Sequence, residues 1–379
     1  MVRAVAEFAD CVVLVGPEHG PHIRHWQVTH PDPGLVFVEV PEPGWARLAK
    51  QHRVTWFALY LLWLRRAHRV VVRRFPQQQF DVTHHVTYST YWLPTPAARF
   101  GVPCVWGPVG GAVTTPRALW PLLGWRGVAG ELFDLFTVRA LSWLPATRDT
   151  WRRATVALLQ NEATQRRLPH ALLTKARVLN HAMFTEVPAH PAPAPRHRSG
   201  LLLVSALEAR KGVRLALHAL AHTPDDVTLL VLGDGPERKS LEKLARRLRI
   251  QHRVRFHGWT PRDQVFARLA KAAAVVFPGL REEGGLSLAE AMLFGAPVIV
   301  LANGGARTIA AAATDRFRVA LIEPGTVTTT VQRMAEAMTY FSRHADMHAR
   351  GPLLDQTAAR DTLRAAFEHA IADRVGWVV

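Results

Sequence analysis

Within REEGGLSLAEAM, residues 281–292, Glu282 and Glu290 stand eight positions apart, with Gly284 and Gly285 between them and an apolar run beginning at Leu286. This spacing places Glu282 in a loop and Glu290 about one turn inside a helix. Glycines opening a helix leave backbone N–H groups free to meet a phosphate or a sugar. A carboxylate is a bidentate acceptor for a diol, so Glu290 suits a ribose and Glu282 a sugar farther along the same ligand. The alternative is two solvated acids in a first turn, which the helix dipole also favours. Upstream, Arg210, Lys211 and Gly212 end a loop where another helix begins. Two cations and a glycine at a helix N-terminus make a diphosphate site, although Lys-Gly before a helix is common on its own.

Those residues need elements to hold them. From residue 200 onward, apolar strand candidates at Leu201 to Val204, Val227 to Leu232, Arg253 to His257, Ala273 to Phe277 and Pro297 to Val300 alternate with helical stretches such as Pro236 to Leu248. The first half shows the same habit at Cys11 to Val15, Leu35 to Val40, Asp81 to Val86, Pro103 to Trp106, Ala154 to Leu159 and Ala176 to Leu179. Alternation of this kind predicts an α/β protein with parallel, doubly wound sheets covered on both faces. The prolines of VPAHPAPAPRHRSG, residues 187–200, can continue neither a helix nor a central strand. The expected organisation is therefore an N-terminal domain over 1–187, a linker over 188–199, a C-terminal domain over 200–350 and a final helical segment, 351–379, that crosses back to the first domain. Ligands are expected in the cleft at the carboxyl ends of the strands.

The ordered set of the Lys-Gly loop, GDGP (233–236), VRFHGWTP (254–261), FPGLREEGGLSLAEAM (277–292), GAPVI (295–299) and ANGG (302–305) resembles the retaining glycosyltransferases of family 4, which have the GT-B fold of two facing Rossmann-like domains. The resemblance implies a nucleotide-diphosphate-sugar donor, a glycan or lipid-linked acceptor, and neither metal nor other cofactor. It matches Glu282 and Glu290 to the two acids of an E-x7-E signature and Lys211 to the lysine on the diphosphate, with Gly212, Gly284, Gly285 and Leu286 beside them. Ser205 and Ala206 stand where relatives have Gly-Arg, and Arg210 is the expected substitute for that arginine. In the first half, His84 and His85 fall near the end of a strand, so His85 is a candidate to contact the reacting sugars, with a packing role equally open. Gly110 and Gly111 form a loop that could face the diphosphate from the opposite domain. The histidine that many relatives carry after the Pro103 strand is missing, with Val109 near its place. VRAVAEFAD at the start reads like the end of a first helix, so the N-terminal domain is expected to lack its first, central strand. That absence, with Ala206, keeps open a truncated or non-catalytic relative that binds nucleotide weakly.

Composition narrows the setting. With 379 residues, 49% hydrophobic and 20% charged, two globular domains are expected rather than a disordered chain. The two cysteines, Cys11 and Cys104, lack the spacing of a zinc site or a disulfide framework, which fits a cytoplasmic protein. A net charge of +17 favours anionic partners, or reflects an arginine-rich genome. Nucleic acid is disfavoured because no recognition motif accompanies the charge. Residues 44–76 hold eight Lys/Arg and no acid, with Trp56, Leu59, Tyr60, Trp63 and Val70 on one helical face. That pattern suits an interfacial helix on an anionic membrane and, slightly better on its own, a core-facing helix with a solvated basic face; the net charge tilts the reading toward peripheral membrane contact.

Overall fold

A computed structural model describes residues 1–43, 46, 53–75, 80–86, 90–186, 199–345 and 351–375. The predicted linker, 188–199, lies outside them except for Ser199. In the second half, β7 (Leu201–Val204), β8 (Leu229–Leu232), β9 (Val254–Gly258), β10 (Ala274–Phe277), β11 (Val298–Leu301) and β12 (Val319–Ile322) form one sheet in the order β12-β11-β10-β7-β8-β9, every pair parallel. This is the doubly wound order, with its switch point between β7 and β10. Aliphatic runs such as LLLV and VIVL are buried on both faces, as central parallel strands require. Strand β12 was not anticipated. It is an edge strand whose VALI run is apolar although its first three residues are only partly buried.

The first half is in two pieces. Strands β1 (Cys11–Val15) and β2 (Leu35–Glu39) pair with each other, while β3 (Thr83–His85), β4 (Cys104–Val109), β5 (Val156–Leu159) and β6 (Ala176–Val178) form a separate parallel sheet in chain order. Among the described residues no strand precedes β1, whose place upstream is taken by α1 (Val2–Ala6).

Among the helices are α2 (Arg53–Arg74), α3 (Gly124–Ser142), α4 (Leu286–Leu293), α5 (Val327–Arg343) and α6 (Thr357–Val375). Thr326 caps α5 by accepting from Thr329 N, and Val331, Met334, Met338 and Phe341 form its buried stripe over the sheet. Helix α6 returns to the first half, where Phe367 meets Phe8 and His84 with ring centroids 5.5 and 5.1 Å away.

The interfacial reading of residues 44–76 is corrected. The apolar face of α2 points inward, with Tyr60 and Leu64 packed in one core cluster beside Trp92 and Trp106, and Leu59 and Ala67 buried as well. The core thus takes up the face a bilayer would have used, leaving Arg65, Arg69 and Arg73 exposed. Residues 44, 45, 47–52 and 76, and the side chain of Trp56, lie outside the described part.

Candidate functional site

The carboxyl ends of β7 and β10, on either side of the switch point, open into a cavity of about 700 Å³, within the range of small-ligand sites. Lys211, Arg210, Glu282, Glu290 and the segment from Gly284 to Leu286 all line it, although they come from two stretches of sequence seventy residues apart. Two backbone features bring the second stretch there. Gly285 has φ +82 and N-caps α4, a left-handed conformation that L side chains rarely adopt. Gly284 leaves no room for a side chain, since a Cβ there would sit 2.2 Å from the imidazole Cε1 of His181.

The charges in the cavity are paired. Lys211 Nζ donates to Glu282 Oε2 at 2.5 Å, and Gly285 N donates to the other oxygen of that carboxylate at 3.3 Å. Arg262 holds Glu290 Oε1 through Nε at 3.1 Å and Nη2 at 2.8 Å. Arg210 pairs with Glu208 at 2.7 Å, half-exposed at the rim. Of the expected donor-site residues, Gly212 does not line the cavity. Its left-handed φ of +70 turns the chain past the Pro278 carbonyl oxygen, 2.0 Å from where a Cβ would be, so it shapes the Lys211 loop and offers no ligand surface.

A second cavity of about 560 Å³ lies on the first-half side, where Thr90, Trp92, Asp134, Thr137 and Arg281 are among its walls. Gln160, His181 and Glu283 line both cavities and so mark their junction. His181 is held neutral by burial, which pushes its pKa down against the pull of nearby Glu282. Its Nδ1 is buried with no hydrogen-bond partner among the described residues. The Glu283 carboxylate accepts from Val113 N at 2.9 Å and from Asn161 Nδ2 at 3.1 Å, and burial raises its pKa.

Two first-half expectations are corrected by this geometry. Gly110 and Gly111 line the second cavity only, and the backbone donors of their loop, Gly111 and Val113, are turned to the Glu283 carboxylate instead of an open diphosphate site. The loop does bind an anion, but one supplied by the facing domain. His85 lines neither cavity. Its Nε2 lies 2.7 Å from the Tyr60 hydroxyl beneath the sheet, and burial lowers its pKa to about 4, which identifies it as a packing residue.

Residues 281–283 join the two halves. Arg281 donates to Glu131 at 3.0 Å and Asp134 at 2.5 Å, both on α3, while Glu283 reaches the loop after β4. Between them Glu282 faces Lys211. Asn303 Nδ2 adds a bond to Thr114 O at 3.0 Å. Sequence reading missed Gln160, His181, Arg262 and Glu283, and also Trp259, which is 77% exposed at the wall of the first cavity. Only Trp259 had a local signal, as an aromatic residue directly after a strand.

Residues 193–352 match the family model described as glycosyl transferases group 1. The 2-deoxystreptamine glucosyltransferase of Streptomyces kanamyceticus is 36% identical over 105 residues, 27% of this chain and 27% of that protein, so the match spans about a quarter of the relative's length. Among solved structures, Anabaena HepE in complex with UDP aligns over 97% of this chain and 94% of its own with TM-score 0.53 and 16% identity. WaaG, a glycosyltransferase involved in lipopolysaccharide biosynthesis, aligns over 94% of this chain and 98% of its own with TM-score 0.53 and 17% identity. These likenesses establish the GT-B fold, two Rossmann-like domains about a cleft.

Proposed function

We propose that this chain, whose residues 193–352 belong to the glycosyl transferases group 1 family, transfers a sugar from a nucleotide-diphosphate donor to an acceptor hydroxyl with retention at the anomeric carbon. The observation that carries the reading is the convergence of Lys211, Glu282 and Glu290 on one cavity beside the N-terminus of α4, directly against a second cavity from the facing domain.

In this reading the diphosphate lies against Lys211, Arg210 and the N–H groups that open α4, which carry its charge without a metal. Glu290 takes the ribose hydroxyls once Arg262 swings aside, and Trp259 offers a face to the base. Glu282 then meets the donor sugar at the junction. The acceptor occupies the second cavity, and a lipid-linked or cell-envelope glycan suits its position and the basic surface. Its hydroxyl oxygen bonds to the anomeric carbon as the bond from that carbon to the diphosphate oxygen breaks on the same face. The departing oxygen takes the hydroxyl proton, so no side-chain base is needed. Neutral His181 is placed to hydrogen-bond a sugar hydroxyl during the exchange.

A second reading, a relative that binds nucleotide and transfers nothing, is favoured by Ala206 and by the division of the first-half strands into two sheets. Calorimetric titration of UDP, GDP and ADP sugars separates the two when joined to an assay of donor turnover. Micromolar binding lost in Glu290→Ala, with turnover, supports transfer. Binding without turnover for any acceptor class supports the second reading, and no binding at all overturns both.

A further inference from the structure

Helix α3 carries a surface for which sugar transfer has no use. Trp125, Leu132, Phe136 and Trp143, the last just past its end, recur at intervals that keep side chains on one helical face. They are 76%, 53%, 72% and 63% exposed, and Phe133 beside them is 49% exposed. An ordinary surface helix turns such a stripe inward. Here α3 turns its acids inward instead: Glu131 is buried against Thr115 N and Arg281, and Asp134 is bound by Arg281. The outer edge is basic. The guanidinium of Arg126 lies 5.1 Å from the Trp125 ring centroid, that of Arg148 lies 4.7 Å from the Trp143 centroid, and Arg139 is exposed between them.

We propose that this face of α3 docks on an anionic phospholipid bilayer, its aromatic stripe in the interface and its arginines on the headgroup phosphates. Tryptophan at both ends of the stripe suits headgroup depth, where one edge of the ring is wet and the other apolar. Guanidinium groups stacked on those rings present cations where the phosphates lie, and a chain of net charge +17 is drawn to such a surface. Asp134, Thr137 and Val138 of the same helix line the second cavity, so docking sets that cavity about one helix diameter, roughly 10 Å, from the interface. A hydroxyl on a membrane-anchored acceptor is then within reach. This consequence rests on the sugar-transfer reading; the docking does not.

The test is sedimentation of the full chain with vesicles of phosphatidylcholine, alone or with about one-third phosphatidylglycerol. The wild-type protein should pellet with the anionic vesicles only, and Phe136→Asp or Trp143→Ala should weaken that by at least about tenfold. Brominated acyl chains should quench tryptophan fluorescence in the wild type and not in a Trp125→Phe, Trp143→Phe variant. The proposal is overturned if wild type stays in the supernatant with anionic vesicles, or if the variants pellet as it does. It is also overturned if sedimentation equilibrium shows a dimer that Phe136→Asp dissolves, since a second copy would then cover the stripe. Calorimetric donor binding by Phe136→Asp, expected to be unchanged, keeps the result independent of the nucleotide-sugar site.

Discussion

Lys211 and Glu282 meet at 2.5 Å across seventy-one positions of sequence, so the cation proposed for the diphosphate and the acid proposed for the sugar satisfy each other's charge. Both are largely buried, with side chains 21% and 10% exposed. Removing either therefore strands the other in a poorly solvated place. Lys211→Ala should lower donor affinity by at least about tenfold, since a charge-assisted contact to phosphate is lost. Lys211→Ala with Glu282→Gln together should cost less stability than the two single changes added. A double-mutant cycle in thermal unfolding checks the second statement, and calorimetry with the preferred donor checks the first.

Arg262 and Glu290 give the opposite sign. Arg262 is mostly exposed, so its pair with Glu290 contributes little to stability, yet it holds the carboxylate proposed to take the ribose. Arg262→Ala should tighten donor binding, by up to about fivefold, whereas Glu290→Ala should abolish it. Weaker binding by Arg262→Ala would show that the arginine itself touches the ligand.

His181 sits at the junction of the cavities with a buried, unpaired Nδ1. If it bonds a hydroxyl only as the sugar moves, His181→Ala should lower kcat by about tenfold or more while leaving the donor dissociation constant within about twofold. A change confined to donor binding would place the imidazole on the ground-state ligand.

Acid should weaken the first domain. His84 donates from Nε2 to the Gly107 carbonyl oxygen, 2.8 Å away, and burial lowers both His84 and His85 to about 4. The unfolded chain binds these protons from about pH 6.5 downward, so stability is lost as pH falls from there to about 4, by no more than about 3 kcal/mol per imidazole. Chemical denaturation at a series of pH values should show that slope, and His85→Gln should flatten part of it.

Glu283 runs the other way. Burial raises its folded pKa, so folding is favoured while the carboxyl is protonated and stability falls as pH rises from the unfolded carboxyl value through the folded one, a loss that the hydrogen bonds donated by Val113 and Asn161 to the carboxylate partly offset. Glu283→Gln should remove this dependence at small cost, while Glu283→Ala, which orphans Val113 N, should destabilise by about 1–3 kcal/mol.

Much of this was legible before any fold was known. Mostly apolar runs broken by helical stretches located eleven of the twelve strands, and the edge strand β12 was missed although its VALI run is apolar. Glu282 and Glu290 stood out because their spacing sets one in a loop and the other inside the following helix, whereas Lys211 was singled out through the ordered motifs that carry the family resemblance. His181, Gln160, Arg262 and Glu283 were not, since their placement arises only where distant segments meet. The same reason explains the errors: an apolar face on α2 and a glycine loop at 110–111 say what can be bound, and only the tertiary fold says that the core and Glu283 already bind it. The stripe on α3 shows the converse, an apolar face that the fold leaves uncovered.

The alternation of residues 281–283, out to α3, in to Lys211, out to the loop after β4, ties the position of the sugar-side acid to the separation of the domains. In the proposed reading, a change in the separation of the domains shifts Glu282 at the sugar end of the donor, while Glu290, held in α4, stays at the nucleotide end. The sugar, and not the nucleotide, is then the part of the donor whose binding depends on that separation.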